Sequence, residues 1–279
     1  MPLKLMYITP RPEIAQIAQE TGVDRIFVDM EYIGKSARQG GMDTVQSHHT
    51  PEDIKRIKAV QTSFELLVRC NPMHDKTDDY ESSEEEIDGI VACGADVIML
   101  PYFKTAREVA RFLDAVNGRA KTMLLFETPE SVENVDEILS LRGIDEVFVG
   151  LNDLSLGYGM KFMFQLLADG TVEALCNTFR KKGLPYGFGG IAALGKGMLP
   201  AEHVIKEHYR LGSTCAILSR SFCNTSLITD ISEVEQIFKE GLVQIRAYEE
   251  ECARADDDEL FENKKQLTDI IFTITRNQI

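Results

Sequence analysis

Eight short runs of apolar and β-branched residues, each followed by a stretch with helical patterning, limit the folds open to this chain more than any other feature. The runs are Lys4–Thr9 (KLMYIT), Arg25–Met30 (RIFVDM), Glu65–Cys70 (ELLVRC), Asp96–Leu100 (DVIML), Thr122–Glu127 (TMLLFE), Glu146–Gly150 (EVFVG), Tyr186–Ile191 (YGFGGI) and Cys215–Ser219 (CAILS). Most are continuously apolar rather than alternating, as expected of strands covered on both faces. The stretches between them carry helix signals. Thr50-Pro51 places a capping residue before a proline, and Ser83 with Glu86 and Thr105 with Glu108 have capping-box spacing. Gly22, Gly94, Gly118, Gly143 and Gly183 mark helix ends. Eight strand–helix units within 222 residues predict an α/β chain folded as a closed (β/α)8 TIM barrel. An open doubly wound sheet is the alternative. No G-x-G-x-x-G follows the first run, so dinucleotide binding has no support.

The 279 residues fit two average domains or one barrel of ~250 residues. The strand count favours a single barrel domain over 1–279, with 231–279 as a helical extension. Ser232 and Glu235 open a helix carrying Val234, Ile237, Phe238, Leu242 and Ile245. After the acidic break at Asp256–Asp258, a further helix carries Leu260, Phe261, Leu267, Ile270, Ile271 and Ile274. The first can close the barrel. The second has an apolar face to bury, against another subunit or back on its own barrel.

Charge and composition exclude some functions. With 45 acidic and 30 basic residues the net charge is −15, which disfavours nucleic acid and anionic membrane as partners. It leaves an anionic small molecule open. No apolar run reaches the ~20 residues of a membrane span, and the amino-terminal stretch has no cleavage-site pattern. The six cysteines form no C-x-x-C pair, which predicts a cytoplasmic protein with free thiols rather than a disulfide or zinc framework.

In a barrel the chemistry sits where strands end at their carboxyl side. Those ends carry Asp29 and Glu31, Arg69 and Asn71, Glu127, Asn152 and Asp153, and Arg220. Glu127 and Asp153 lie one strand–helix unit apart. Ends of neighbouring strands are ~4.8 Å apart, so the two carboxylates can converge on one Mg²⁺-type ion; capping roles are the alternative. Arg69 closes an apolar strand, where it can hold a carboxylate or phosphate, or pair structurally with an acid such as Glu31. The glycines of GFGGIAALGKG allow close backbone approach to an anion, or merely tight packing. The long polar stretch from Met30 to His49 contains Lys35, Arg38, His48 and His49, each a candidate anion contact or a solvated side chain.

Together these stretches are similar to the HpcH/HpaI aldolase/citrate lyase family, within the phosphoenolpyruvate/pyruvate barrel superfamily. The matching segments are GVDRIFVDMEY, LLVRCNP, EIDGIVACGADVIMLPYF, LLFETPESVENVDEIL and GIDEVFVGLNDLSLGYG, from about residue 20 to 160. The resemblance implies an aldolase-like carbon–carbon lyase that uses a divalent metal, Mg²⁺ foremost with Mn²⁺ or Co²⁺ as alternatives. It implies Glu127 and Asp153 as metal ligands and Arg69 as the residue orienting a pyruvate-type enolate; Glu31 and Asn152, read from their strand ends, are candidate substrate contacts. The partners it implies are a 2-oxo acid with an aldehyde or a CoA ester, and a homo-oligomer built from dimers, up to a hexamer.

The chain departs from the family at the proton-transfer position. Aldolase members usually read Asp-x-Glu-His after strand two, whereas this chain reads Asp29-Met30-Glu31-Tyr32. Leu125 stands where a glutamine is common. Lys35, Ala37 and Arg38 echo the citrate-lyase branch, but its second Asp is missing. Asp29, Tyr32, His48 and His49 are therefore the candidates for proton transfer. The other readings are a CoA-thioester lyase or thioesterase, and a non-catalytic barrel that binds a 2-oxo acid.

Overall fold

A computed structural model describes residues 1–35 and 49–276. The eight apolar runs form β1 (Lys4–Ile8), β2 (Arg25–Asp29), β3 (Glu65–Arg69), β4 (Val97–Leu100), β5 (Lys121–Phe126), β6 (Glu146–Val149), β7 (Tyr186–Ile191) and β8 (Cys215–Leu218). Each pairs in parallel with its neighbour, and β8 pairs with β1, which closes the barrel. The doubly wound alternative is thereby excluded. The outer ring consists of α1 (Pro12–Glu20), α2 (Pro51–Ala59), α3 (Ser83–Ala92), α4 (Ala106–Val116), α5 (Pro129–Glu133), α6 (Val135–Ile138), α7 (Leu151–Gly157), α8 (Gln165–Ala168), α9 (Thr171–Lys181) and α10 (Ala201–Leu211).

Several helix signals resolve as expected. Thr50 and Thr105 begin helices with reciprocal capping boxes through Asp53 and Glu108. The five marker glycines all have positive φ, the backbone state that ends a helix at least cost for a residue without Cβ. The box expected at Ser83 and Glu86 lies one residue earlier, at Ser82 and Glu85. The Ser83 hydroxyl is instead taken by the backbone N–H and ring of His74.

Continuous hydrophobicity has a direct cause, since outward side chains meet helices and inward ones meet each other. The barrel interior is filled by Met6, Phe27, Leu67, Val97, Met99, Met123, Leu125, Phe148 and Cys215. Gly187 in β7 is required by space: a Cβ there would lie 2.2 Å from the Cys215 carbonyl oxygen. At the amino-terminal end a charged plug replaces the apolar filling. Arg25, fully buried, grips Glu146 with two bonds of 3.0 and 2.9 Å and Glu65 with one of 2.6 Å. Lys4 and Lys121 complete it on Glu65, at 2.9 and 2.6 Å.

Two long helices follow, α11 (Ile231–Arg254) and α12 (Asp257–Arg276). Asp230, rather than Ser232, caps α11 by accepting from the Ser232 N–H. Glu249 of α11 accepts from the Leu3 N–H at 2.7 Å, and Arg246 bonds the Leu3 carbonyl, which ties the helix to the start of β1. The second helix lies on α10 and α8 of its own chain. Leu267 and Ile271 are buried there, and Asn263 exchanges two hydrogen bonds with His203. Phe261 and Phe272 stay exposed on its other side. Among the described residues no helix is long and apolar enough to cross a membrane.

Candidate active site

A cavity of about 730 Å³ opens at the carboxyl ends of the strands. Phe27, Met99, Leu125 and Phe148, the top layer of the barrel filling, help to line it. Asp29, Lys35, His49, Arg69, Glu127, Asn152, Asp153 and Arg220 also line it. Residues spread over nearly two hundred positions thus converge because parallel strands deliver all their carboxyl ends to one face.

The β2–β3 register sets Asp29 directly beside Arg69. The Arg69 Nε and Nη2 each donate to the Asp29 carboxylate at 2.8 Å, and Nη1 lies 3.3 Å from Glu31. The guanidinium also stands over the Phe27 ring at 5.5 Å. Lys35, four residues past Glu31, donates to Asp29 at 2.9 Å and lies 3.5 Å from Glu31. Two cations thus face two buried carboxylates in a balanced cluster. Burial alone would raise the Asp29 carboxyl, but Arg69 and Lys35 hold it far below the usual carboxylate range.

Across the cavity stand Glu127, the residue after β5, and Asp153, in the first turn of α7 that follows β6. Both also border a smaller hollow of about 200 Å³. Glu127 accepts from the Tyr102 N–H at 3.0 Å, and Tyr102 adopts positive φ to present it. Gly150 packs against the same carboxylate, since a Cβ there would lie 2.7 Å from Oε2. The two are hard oxygen donors that share one wall and keep room for water and ligand. That donor set fits Mg²⁺, which retains several waters, better than a closed structural site. No group of three or more His, Cys, Asp or Glu suited to a metal occurs among the described residues.

The remaining sequence candidates separate. Asn152 and His49 line the cavity. Glu31, read as a substrate contact, is fully buried, with Arg69 at 3.3 Å and Lys35 at 3.5 Å. Tyr32 is not among the lining residues. It is 41% exposed and its ring rests 5.7 Å from Tyr80. Burial, with Glu86 and Tyr80 nearby, raises its pKa, the wrong direction for a base. His48 and Arg38 lie outside the described residues. Lys35 is paired with Asp29 at 2.9 Å and with Glu31 at 3.5 Å. Sequence reasoning missed Tyr102 and Gly150. Their roles are backbone and steric, and neither leaves a chemical signature in the side-chain type.

Comparison with known proteins follows the same line. The profile described as HpcH/HpaI aldolase/citrate lyase matches residues 5–166, more than half of the chain. No curated protein matches the chain. Among solved structures, an HpcH/HpaI aldolase from Desulfitobacterium hafniense DCB-2 aligns with a TM-score of 0.56 at 17% identity, covering 88% of this chain and 93% of that one. An HpcH/HpaI aldolase/citrate lyase family protein from Burkholderia cenocepacia J2315 gives 0.61 at 15% identity, covering 88% and 95%. At such identities the likeness bears on the fold.

Proposed function

The chain belongs to the HpcH/HpaI aldolase/citrate lyase family, and from that premise we propose that it is a divalent-metal-dependent carbon–carbon lyase. Family and fold indicate a lyase of the aldolase/citrate lyase type. The finer reading is cleavage or formation of a 2-oxo acid aldol through a pyruvate-type enolate. One observation carries it: Glu127, Asp153 and Arg69 line one cavity large enough for an oxo acid and an acceptor together.

Glu127 and Asp153 would hold a divalent cation, which when bound would supply Lewis-acid stabilisation of negative charge on the oxo acid. The protein does the rest. Arg69 has five N–H donors, of which Asp29 takes two and Glu31 faces one more nitrogen. The remaining donors fix the substrate carboxylate and add to charge stabilisation. Asp29 and Glu31 hold the guanidinium in place, so it pays little reorganisation when charge develops. Phe27, Leu125 and Phe148 supply apolar walls beside these groups. Asn152 offers an amide at the cavity wall for substrate oxygens.

The test is proton–deuterium exchange at the methyl group of pyruvate, followed by NMR with Mg²⁺ or Mn²⁺, with EDTA, and with Asp153→Ala. Metal-dependent exchange lost in the variant is expected. Metal binding without any exchange would overturn the enolate reading and turn the search to CoA thioesters or a binding role.

A further inference from the structure

One ring on the cavity wall has its protonation dictated by the backbone. The Asp29 N–H donates to Nδ1 of His49 over 2.9 Å. An amide nitrogen carries a proton and has no lone pair to offer, so Nδ1 is the bare nitrogen of the ring. The proton of the neutral imidazole is then on Nε2. His49 lines the cavity, and Nε2 has no partner among the described residues. A neutral ring so arranged has no free lone pair: Nδ1 is committed to the backbone and Nε2 already holds its proton.

We propose that His49 is a fixed, neutral hydrogen-bond donor that offers Nε2–H to the oxygen becoming negative on the acceptor half of the substrate, and that it is not the base. The identity of that oxygen rests on the lyase reading above; the tautomer does not. No proton changes owner in this step, because the N–H stays on the ring while it stabilises the oxyanion. Removal of the aldol proton therefore falls to another group.

The surroundings keep the ring neutral. Burial lowers the His49 pKa, and Lys35 and Arg69 act in the same direction. Asp29 and Asp53 oppose them, with burial prevailing. Protonation at Nδ1 would also break the bond from Asp29 and set a third cation beside the other two. A neutral donor needs no reorganisation as charge develops, the arrangement that gives oxyanion-stabilising groups their effect.

Two readouts test this. In long-range ¹H–¹⁵N spectra of histidine-labelled protein, assigned against His49→Ala, we expect Nδ1 unprotonated and Nε2 protonated throughout the neutral range. An Nδ1–H tautomer, or an imidazolium, would overturn the proposal. For chemistry, the probe is condensation of pyruvate with glycolaldehyde. His49→Ala is expected to lower kcat by about 100-fold, and His49→Gln, whose amide keeps a donor, to recover most of that loss. Equal loss in both variants would point to a base and refute the donor role, as would an unaffected His49→Ala. Absent pyruvate exchange in the wild type would defeat the lyase reading alone, leaving the spectra to decide the tautomer.

Discussion

Gly150→Ala probes the proposed metal site without removing either of its candidate ligands. Gly150 has φ −82° and ψ 93°, which any L-residue adopts, so backbone freedom is not why glycine stands here. The reason is space. An added Cβ would meet Glu127 Oε2 at 2.7 Å, Glu127 Cβ at 2.8 Å and Leu125 Cδ1 at 3.2 Å. Ordinary carbon contacts begin near ~3.5 Å, so Glu127 must retreat by somewhat under ~1 Å. Turning the carboxylate does not suffice, because the clash at Glu127 Cβ lies next to the backbone. The Tyr102 N–H that fixes Oε1 would be stretched in consequence. Overpacking of this kind costs about 1–3 kcal/mol in stability. Disturbing the support of a metal ligand costs about 10–100-fold in affinity. Calorimetric titration with Mn²⁺, paired with thermal unfolding, measures both. Wild-type Mn²⁺ affinity in a folded Gly150→Ala protein would refute the claim that Glu127 holds the ion.

Other outcomes follow from the same geometry. Arg25→Met should cost about 3–5 kcal/mol in denaturant unfolding, because it strands Glu146 in a buried site; a loss under about 1 kcal/mol would mean the floor is not held electrostatically. His208, fully buried and stacked 3.8 Å from Phe188, has its pKa pushed down by burial to about 3. Its contribution to stability is whole above the unfolded value near ~6.5 and declines as pH falls toward the folded value. His208→Phe should therefore flatten the stability–pH curve in that window, by about 2 kcal/mol at pH ~5; parallel curves would exclude the linkage. Tyr32→Phe should leave pyruvate exchange within about twofold of wild type, since an exposed change away from the site is nearly silent; a large loss would return Tyr32 to the chemistry.

The barrel was legible because burial on both faces writes strands as unbroken apolar runs, and the strand ends then stood out as charges at the edge of each run. Glu127, Asp153, Arg69 and Asn152 could be named for that reason. The relations among these charges were not legible. That Asp29 binds Arg69 follows from the β2–β3 register, and that Lys35 joins them follows from the chain turning back after β2. In the Ser-Ser-Glu-Glu-Glu run two capping registers read equally well, and a distant His74 decides between them. The apolar face of α12 was visible, but its resting place on α10 and α8 depends on a tertiary contact that no periodicity encodes.

The ionic plug around Arg25 has a bearing on traffic. With the lower end of the barrel shut by Arg25, Glu65 and Glu146 and the middle filled by side chains, the described residues leave the carboxyl-end face as the side from which the cavity is reached. On the proposed chemistry the oxo acid would lie against Arg69, Glu127 and Asp153, and the acceptor would share the same cavity. A closed floor of this kind would make both reactants of the proposed reaction enter and leave from the same face of the barrel.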